Sequence, residues 1–188
     1  MSTKYEKRFG LINWLGLLTL IVRERKRFSS VWTQTLLAPI VTSVLFLSVF
    51  SLVLSSRNIG IETKNYTIFM APGILMMTVI QNSFANTSSS ILISKVQGNI
   101  VDTLMSPLSP LEMTIGYMVG GMLRGIFVAM AVVLTIFPVI GLIPDKPIIM
   151  MVFIFVASSE LALLGIVAGI ISQKFDHMQA LTNFVITP

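Results

Sequence analysis

An all-α, polytopic transmembrane helical bundle is the fold class this sequence predicts, on three observations. The 188 residues are 54% hydrophobic and 11% charged, with a mean hydropathy of +0.87, where a soluble domain carries roughly 25% charge. Several apolar stretches reach the roughly 20 residues that a helix needs to cross about 30 Å of hydrocarbon. Lys and Arg cluster at the edges of those stretches, so the net charge of +5 reads as membrane orientation rather than nucleic-acid affinity.

The first apolar run, residues 11–22, is too short to span a bilayer. A cleavable signal is the rival reading, but the run leads into Arg23-Glu24-Arg25-Lys26-Arg27 where a signal offers a small-residue cleavage site. It reads as an uncleaved interfacial elbow helix over residues 11–27, within an N-terminal cytoplasmic unit of residues 1–30. Asn13, Gly16, Thr19 and Arg23 recur at spacings of three or four and form a thin polar stripe expected to face headgroups, with Trp14 at the boundary.

The membrane domain then occupies residues 31–188. Its first span, residues 31–54, contains Pro39 and enough Ser and Thr to satisfy the freed backbone. A polar loop over residues 55–65 leads to the second span, residues 66–93, which opens apolar and turns polar. Asn82, Ser83, Asn86, Ser89 and Ser90 share about a third of its helical wheel, opposite Ile80, Phe84 and Ile91. That stripe is expected to face protein or water and is the candidate lining of a translocation path. The third span, residues 110–139, begins at Ser109-Pro110-Leu111-Glu112, a capping box with Pro at the first helical position. A Pro-rich loop over residues 141–147 precedes the fourth span, residues 148–172. Residues 173–179 read as loop, and residues 180–188 as the start of a fifth span.

Orientation follows from the basic residues near segment ends. Lys4, Lys7, Arg8, Arg23, Arg25, Lys26, Arg27, Lys95 and Lys174 fall on the side of the N-terminus, against Arg57, Lys64 and Lys146 on the other. The excess puts the N-terminus in the cytoplasm.

Three features remain to be explained by function. Between the second and third spans, within residues 94–109, Val96, Ile100, Val101, Leu104 and Met105 recur at helical spacing, so residues 96–105 read as a short amphipathic helix. Such a helix either lies on headgroups or lays its apolar face into the groove of a cytosolic partner. Arg124 and Glu160 lie within the third and fourth spans at comparable depth, about 14 and 18 Å from the cytoplasmic boundary by helical rise. A charge there is expensive, so the two are expected to form an intramembrane ion pair or to serve a substrate or proton route. Gly116, Gly120, Gly121 and Gly125, with Gly165 and Gly169, form small-xxx-small patterns for close packing, either within the chain or as a homodimer seam.

Other chemistry is excluded. The chain has no cysteine and one histidine, His177, so thiol, disulfide and multi-histidine metal sites are absent. It lacks a G-x-x-x-x-G-K-[ST] phosphate loop, H-E-x-x-H and G-x-S-x-G. Neither ATP nor peptide hydrolysis is expected of it.

As a set, Phe69-Met70-Ala71-Pro72-Gly73, Leu104-Met105-Ser106-Pro107-Leu108-Ser109-Pro110, Gly116-Tyr117 through Gly120-Gly121 with Arg124-Gly125, and Lys174-Phe175-Asp176 near Phe184-Val185-Ile186-Thr187-Pro188 resemble the type 2 ABC exporter permeases. The resemblance covers essentially the whole chain. It implies an elbow helix at residues 11–27 and a coupling helix at residues 96–105 that receives motion from a separate ABC ATPase subunit. It also implies a second permease copy, a bacterial inner-membrane location among lipid, no cofactor on this chain, and ATP and Mg²⁺ held by the ATPase. Nucleic acid is not a partner. Two departures accompany it: the chain is expected to stop where the family's fifth span begins, without the fifth and sixth spans, and Glu160 stands where a small or apolar residue is expected. Two other classes stay open, a secondary transporter or channel using Arg124 and Glu160 for ion coupling, and an inert membrane scaffold.

Overall fold

The computed structural model describes residues 12–56, 63–141, 144 and 146–186, and among them every regular element is a helix. In chain order these are α1 (Trp14–Ser30), α2 (Trp32–Ser56), α3 (Thr63–Val96), α4 (Ile100–Leu104), α5 (Pro110–Ile140), α6 (Pro147–Ile171) and α7 (Phe175–Val185). Stretches long and apolar enough to cross a membrane are Trp32–Val53, Ile68–Val96, Pro110–Ile140 and Pro147–Ile171. These coincide with the four spans read from sequence. The first residue of the expected elbow, the middle of the loop after α2 and the last two residues lie outside the described residues.

Helix α3 is the centre of the bundle. It packs most extensively on α6 and α5, which also touch each other, while α2 leans on α3 and α5. Three layers follow one another along it. Leu75 and Val79 join Val128, Val132 and Ile136 of α5 and Ile154 of α6 in a layer of large apolar side chains. Below them Ser83, Asn86, Thr87 and Ser88 are buried against Gly121 and Gly125 of α5 and Gly165 and Gly169 of α6. Ile91 then returns to apolar packing with Tyr117, Ile166 and, from α1, Leu20.

The middle layer follows from the solvent. Lipid tails are as apolar as leucine, so spanning helices gain little from burying large side chains and hold together by close backbone approach. A methyl group at Gly121 would lie 2.7 Å from Thr87 Cγ2 and 2.9 Å from Ala162 Cβ, and one at Gly165 would lie 2.6 Å from the Phe84 carbonyl oxygen. Ser83 Oγ, against Gly125, is buried without a partner, while other hydroxyls of this helix bond their own backbone. Thr87 and Ser88 both donate to the Phe84 carbonyl, at 3.2 and 2.8 Å, and Ser94 donates to that of Ser90 at 2.9 Å. The glycine faces are thus occupied within the chain, and at these positions no homodimer seam is left open.

The best-defined boundary is the start of α5. Ser109 Oγ accepts from the Glu112 amide at 3.3 Å, and Glu112 Oε2 accepts from the Ser109 amide at 2.6 Å. The second carboxylate oxygen reaches another helix: Asn13 N donates to Glu112 Oε1 at 2.7 Å, while Asn13 Oδ1 accepts from Gly16 N at 3.0 Å and caps α1. One negative charge therefore stands at the positive ends of two helix dipoles and pins the start of α1 to the start of α5.

Three expectations are corrected here. The polar stripe of α1 does not face outward as a whole: Thr19 is exposed, but Asn13 is buried, Gly16 lies under Leu108, and Arg23 reaches Thr103 and Tyr117. The outward side of α1 instead carries Trp14, Leu15, Leu18 and Val22. The helix expected over residues 96–105 is shorter, because Val96 still belongs to α3 and Gly98, with φ of 76°, turns the chain before α4. A positive φ of this kind is open to glycine at no steric cost. Finally, helix α7 begins at Phe175, so Asp176, His177 and Gln179 are helical rather than loop.

Substitution tests the middle layer. Gly165→Ala drives a methyl into the backbone of α3 and is expected to cost about 1–3 kcal/mol. Gly73→Ala, with no atom within 4 Å of the new methyl, is expected to be neutral or slightly stabilising. Thermal unfolding in detergent separates them, and equal midpoints for the two variants would contradict the packing role.

Candidate functional site

The buried face of α1 consists of Leu17, Leu20, Glu24 and Phe28, at the three- and four-residue intervals of a helical stripe. Three of them are apolar. Glu24, at the centre of a basic run, is 1% exposed. Its Cβ lies where a side chain on Gly120 of α5 would sit, 2.6 Å from the position of that missing methyl. The glycine admits the carboxylate.

Three contacts then compensate the charge. Arg27 Nη2 lies 3.1 Å from Glu24 Oε2, Arg23 Nη2 lies 3.5 Å from Oε1, and Ser90 Oγ of α3 donates to Oε1 at 2.8 Å. Arg27 also reaches α3, donating from Nη2 to the Asn86 carbonyl at 2.6 Å and to Asn86 Oδ1 at 3.0 Å, and from Nη1 to Ser89 Oγ at 3.3 Å. Arg23 turns the other way. Its Nη1 donates to Thr103 Oγ1 of α4 at 3.2 Å and its Nη2 to the Tyr117 hydroxyl of α5 at 2.9 Å. The guanidinium also stands 5.8 Å from the Tyr117 ring centroid, within cation–π range.

Lys95 completes this end of the bundle. From the last turn of α3 its Nζ donates to the Gly169 and Ser172 carbonyls at 3.0 Å and also to that of Ile170. These are carbonyls that the end of α6 leaves without helical partners, and a cation is favourable there. Arg23, Glu24, Arg27 and Lys95 together lock α1, α3, α4, α5 and α6 at one level.

The sequence-predicted residues fall into three groups. On and beside α4, Val96, Val101, Leu104 and Met105 are exposed, while Ile100 turns inward onto the cluster of Leu20, Ile91, Tyr117 and Ile166. The expected apolar face exists without Ile100. In the polar stripe, Ser83, Asn86 and Ser90 are buried, and Asn82 and Ser89 are partly so. Arg27, Glu24 and the glycines of α5 cover it, so within this chain the stripe is a helix seam and not an open lining.

Arg124 and Glu160 are not brought together. Arg124 is partly buried, its Nε has no hydrogen-bond partner, and Glu160 is exposed. The ion pairs recorded among the described residues both belong to Glu24. The azimuth differs from the one expected: α6 turns Ser158 and Ala162 inward, and a residue two positions from each points to the opposite side. The proposed ion-coupling pair is thus absent among the described residues.

Glu24, Thr103, Tyr117 and Lys95 were not singled out from sequence. The signal for Glu24 was available, since it completes the spacing of Leu17, Leu20 and Phe28 and is the sole acid in a basic run. Thr103 and Tyr117 carried none, because their roles depend on where Arg23 points.

Four helices long and apolar enough to cross a membrane, tied at one end to α1 and α4, make this a polytopic membrane-protein fold. The chain belongs to the ABC-2 type transporter family, whose model it matches over residues 16–188. It is similar to Inner membrane transport permease YadH of Escherichia coli (strain K12), with 31% identity over 175 residues, 93% of this chain and 68% of that protein. The proteins of the same name from Escherichia coli O157:H7 and Shigella flexneri match at the same 31% identity and coverage. No solved structure matches. The chain is therefore an integral inner-membrane permease of an ABC transporter, a transport component rather than an enzyme.

The ion network can be weighed directly. Arg27→Ala leaves the Glu24 carboxylate with Ser90 and the more distant Arg23, and is expected to cost about 3 kcal/mol. Glu24→Gln keeps the shape and is expected to cost about 1–2 kcal/mol. In denaturant unfolding of single and double variants, the double loss falls short of the sum; strictly additive losses would mean the two side chains do not interact.

Proposed function

We propose that this chain is the membrane subunit of an ATP-driven exporter, moved by a separate ABC ATPase that docks on α4. ATP and Mg²⁺ belong to that partner, because the chain carries no phosphate-binding loop. The N-terminus and α4 are cytoplasmic, as the distribution of Lys and Arg requires.

One observation carries the reading: α4 has two sides with different contacts. Val101, Leu104 and the following Met105 face outward, apolar and uncovered, while Thr103 faces inward and accepts from Arg23. An apolar helix face of this kind fits a groove on a partner. Force on it passes through Thr103 to Arg23, and from Arg23 to Tyr117 in α5 and through Glu24 to Ser90 in α3. The capping box at Ser109 and Glu112 keeps the link between α4 and α5 short and stiff. A displacement of α4 therefore moves the cytoplasmic ends of both central spans.

A second permease copy joins through a surface other than the glycine faces, which are filled within the chain. The ion-coupling alternative loses its support, since Arg124 and Glu160 point to different sides.

Leu104→Asp is the sharpest test, because Leu104 is 62% exposed. Co-expressed with the ATPase, this variant is expected to insert and purify normally while substrate-linked ATP hydrolysis falls at least about tenfold. Ile100→Asp should lose stability as well, because Ile100 packs inward. Full coupling in Leu104→Asp would refute docking at α4.

A further inference from the structure

A pocket of about 520 Å³ opens beside the ion network, between the last turns of α1 and α3 and the α4 loop. Arg23, Lys26 and Arg27 line it, against a single acid, Glu24. That acid is already engaged by Arg27, Arg23 and Ser90. The pocket therefore keeps an excess of positive charge. Arg27 Nε has no hydrogen-bond partner, and Lys26 is exposed with none recorded. Most of the remaining lining is hydroxyl and carboxamide, exemplified by Ser30 and Gln97. Such a lining offers a multiply charged oxyanion the free Lys26 ammonium and neighbouring hydroxyl and carboxamide donors, with the engaged guanidinium groups adding positive charge.

The surroundings decide what carries that phosphate. The outer side of α1 exposes Trp14, Leu15, Leu18 and Val22, and α2 opens with exposed Trp32 two residues past Ser30 on the pocket rim. Tryptophan and an amphipathic helix of this kind belong at headgroup depth. These residues favour a pocket mouth near the lipid phosphates, with apolar surface beside it for acyl chains. Its volume accommodates a phosphate and a glycerol but not the tails.

We propose that this pocket is a binding site for the headgroup of an anionic glycerophospholipid of the surrounding leaflet, held by Arg23, Lys26 and Arg27. The lipid completes the charge balance around Glu24 and couples the seat of α1 to leaflet composition, as basic pockets at the cytoplasmic side of a membrane protein allow. The site does not rest on ATPase docking, because it lies on the inner side of α4, where Thr103 is, and the docking face looks away.

Native mass spectrometry of the detergent-solubilised chain, titrated with short-chain phosphatidylglycerol, reads the occupancy. Phosphatidylcholine of the same chain length and glycerol phosphate are the comparison ligands. Lys26→Gln, at an exposed position, is expected to weaken phosphatidylglycerol retention about fivefold. Ser30→Trp, which plugs the rim without changing charge, should weaken it as well. Arg25→Gln removes the same charge outside the pocket and should leave retention unchanged. Equal losses in Arg25→Gln and Lys26→Gln, or equal retention of phosphatidylcholine, would reduce the effect to surface charge or tail contact and overturn the site. Displacement of the lipid by equimolar glycerol phosphate would show a site for soluble anions and overturn the lipid assignment.

Discussion

A carboxylate removed from water must be compensated or it is protonated, and the basic end of this bundle is arranged around one such group. Glu24 is 1% exposed at the centre of a helix that is otherwise amphipathic. Leaving an ion of this kind uncompensated is costly by several kcal/mol even after relaxation. The cations that meet it come from its own helix, Arg23 and Arg27, and the neutral donor Ser90 comes from α3. Because each arginine has donors to spare, compensation of Glu24 also ties α1 to Asn86, Thr103 and Tyr117. The elbow is thereby a member of the bundle and not a float on its surface.

The same constraint explains the glycines. A side chain at Gly120 would collide with Glu24, and side chains at Gly121 and Gly165 would push α5 and α6 away from α3. Small residues let the backbones approach, and Thr87 and Ser88 on α3 fill the space while bonding a carbonyl of their own helix. What looks in composition like a polar stretch in a spanning helix is a packing solution for a solvent that gives no hydrophobic reward. Above and below it, Leu75, Val79 and Ile91 return to ordinary apolar contacts.

Much of the architecture was legible. Spans longer than a membrane is thick are read from composition alone, and the α5 boundary from the four residues Ser109 to Glu112, because capping chemistry is local. The stripe on α3 was recognised as facing protein or water, but its azimuth relative to α1 could not be read, and it proved to be a covered seam. Arg124 and Glu160 mark the limit of depth reasoning. Two charges at one level say nothing about direction until the buried face of each helix is known, and on α6 Ser158 and Ala162 set that face. The α1 stripe failed for a related reason: Asn13 and Arg23 were taken as polar and hence outward, when each is polar because it bonds across to another element. The inward set, with Glu24 among it, had the better helical spacing.

The proposed docking of a cytoplasmic motor on α4 calls for a rigid connection between α4 and the spans. Here that connection runs through α1, from Thr103 through Arg23 to Tyr117 and through Glu24 to Ser90. Hydrogen–deuterium exchange over Trp14–Ser30 tests it most directly. In the native chain α1 is predicted to exchange as slowly as the facing segments of α3 and α5, and Glu24→Ala to accelerate it by on the order of tenfold while the seam between Thr87 and Gly165 stays protected. Rapid exchange of α1 in the native chain, or no response to loss of Glu24, would show that the helix rests on the membrane without joining the bundle.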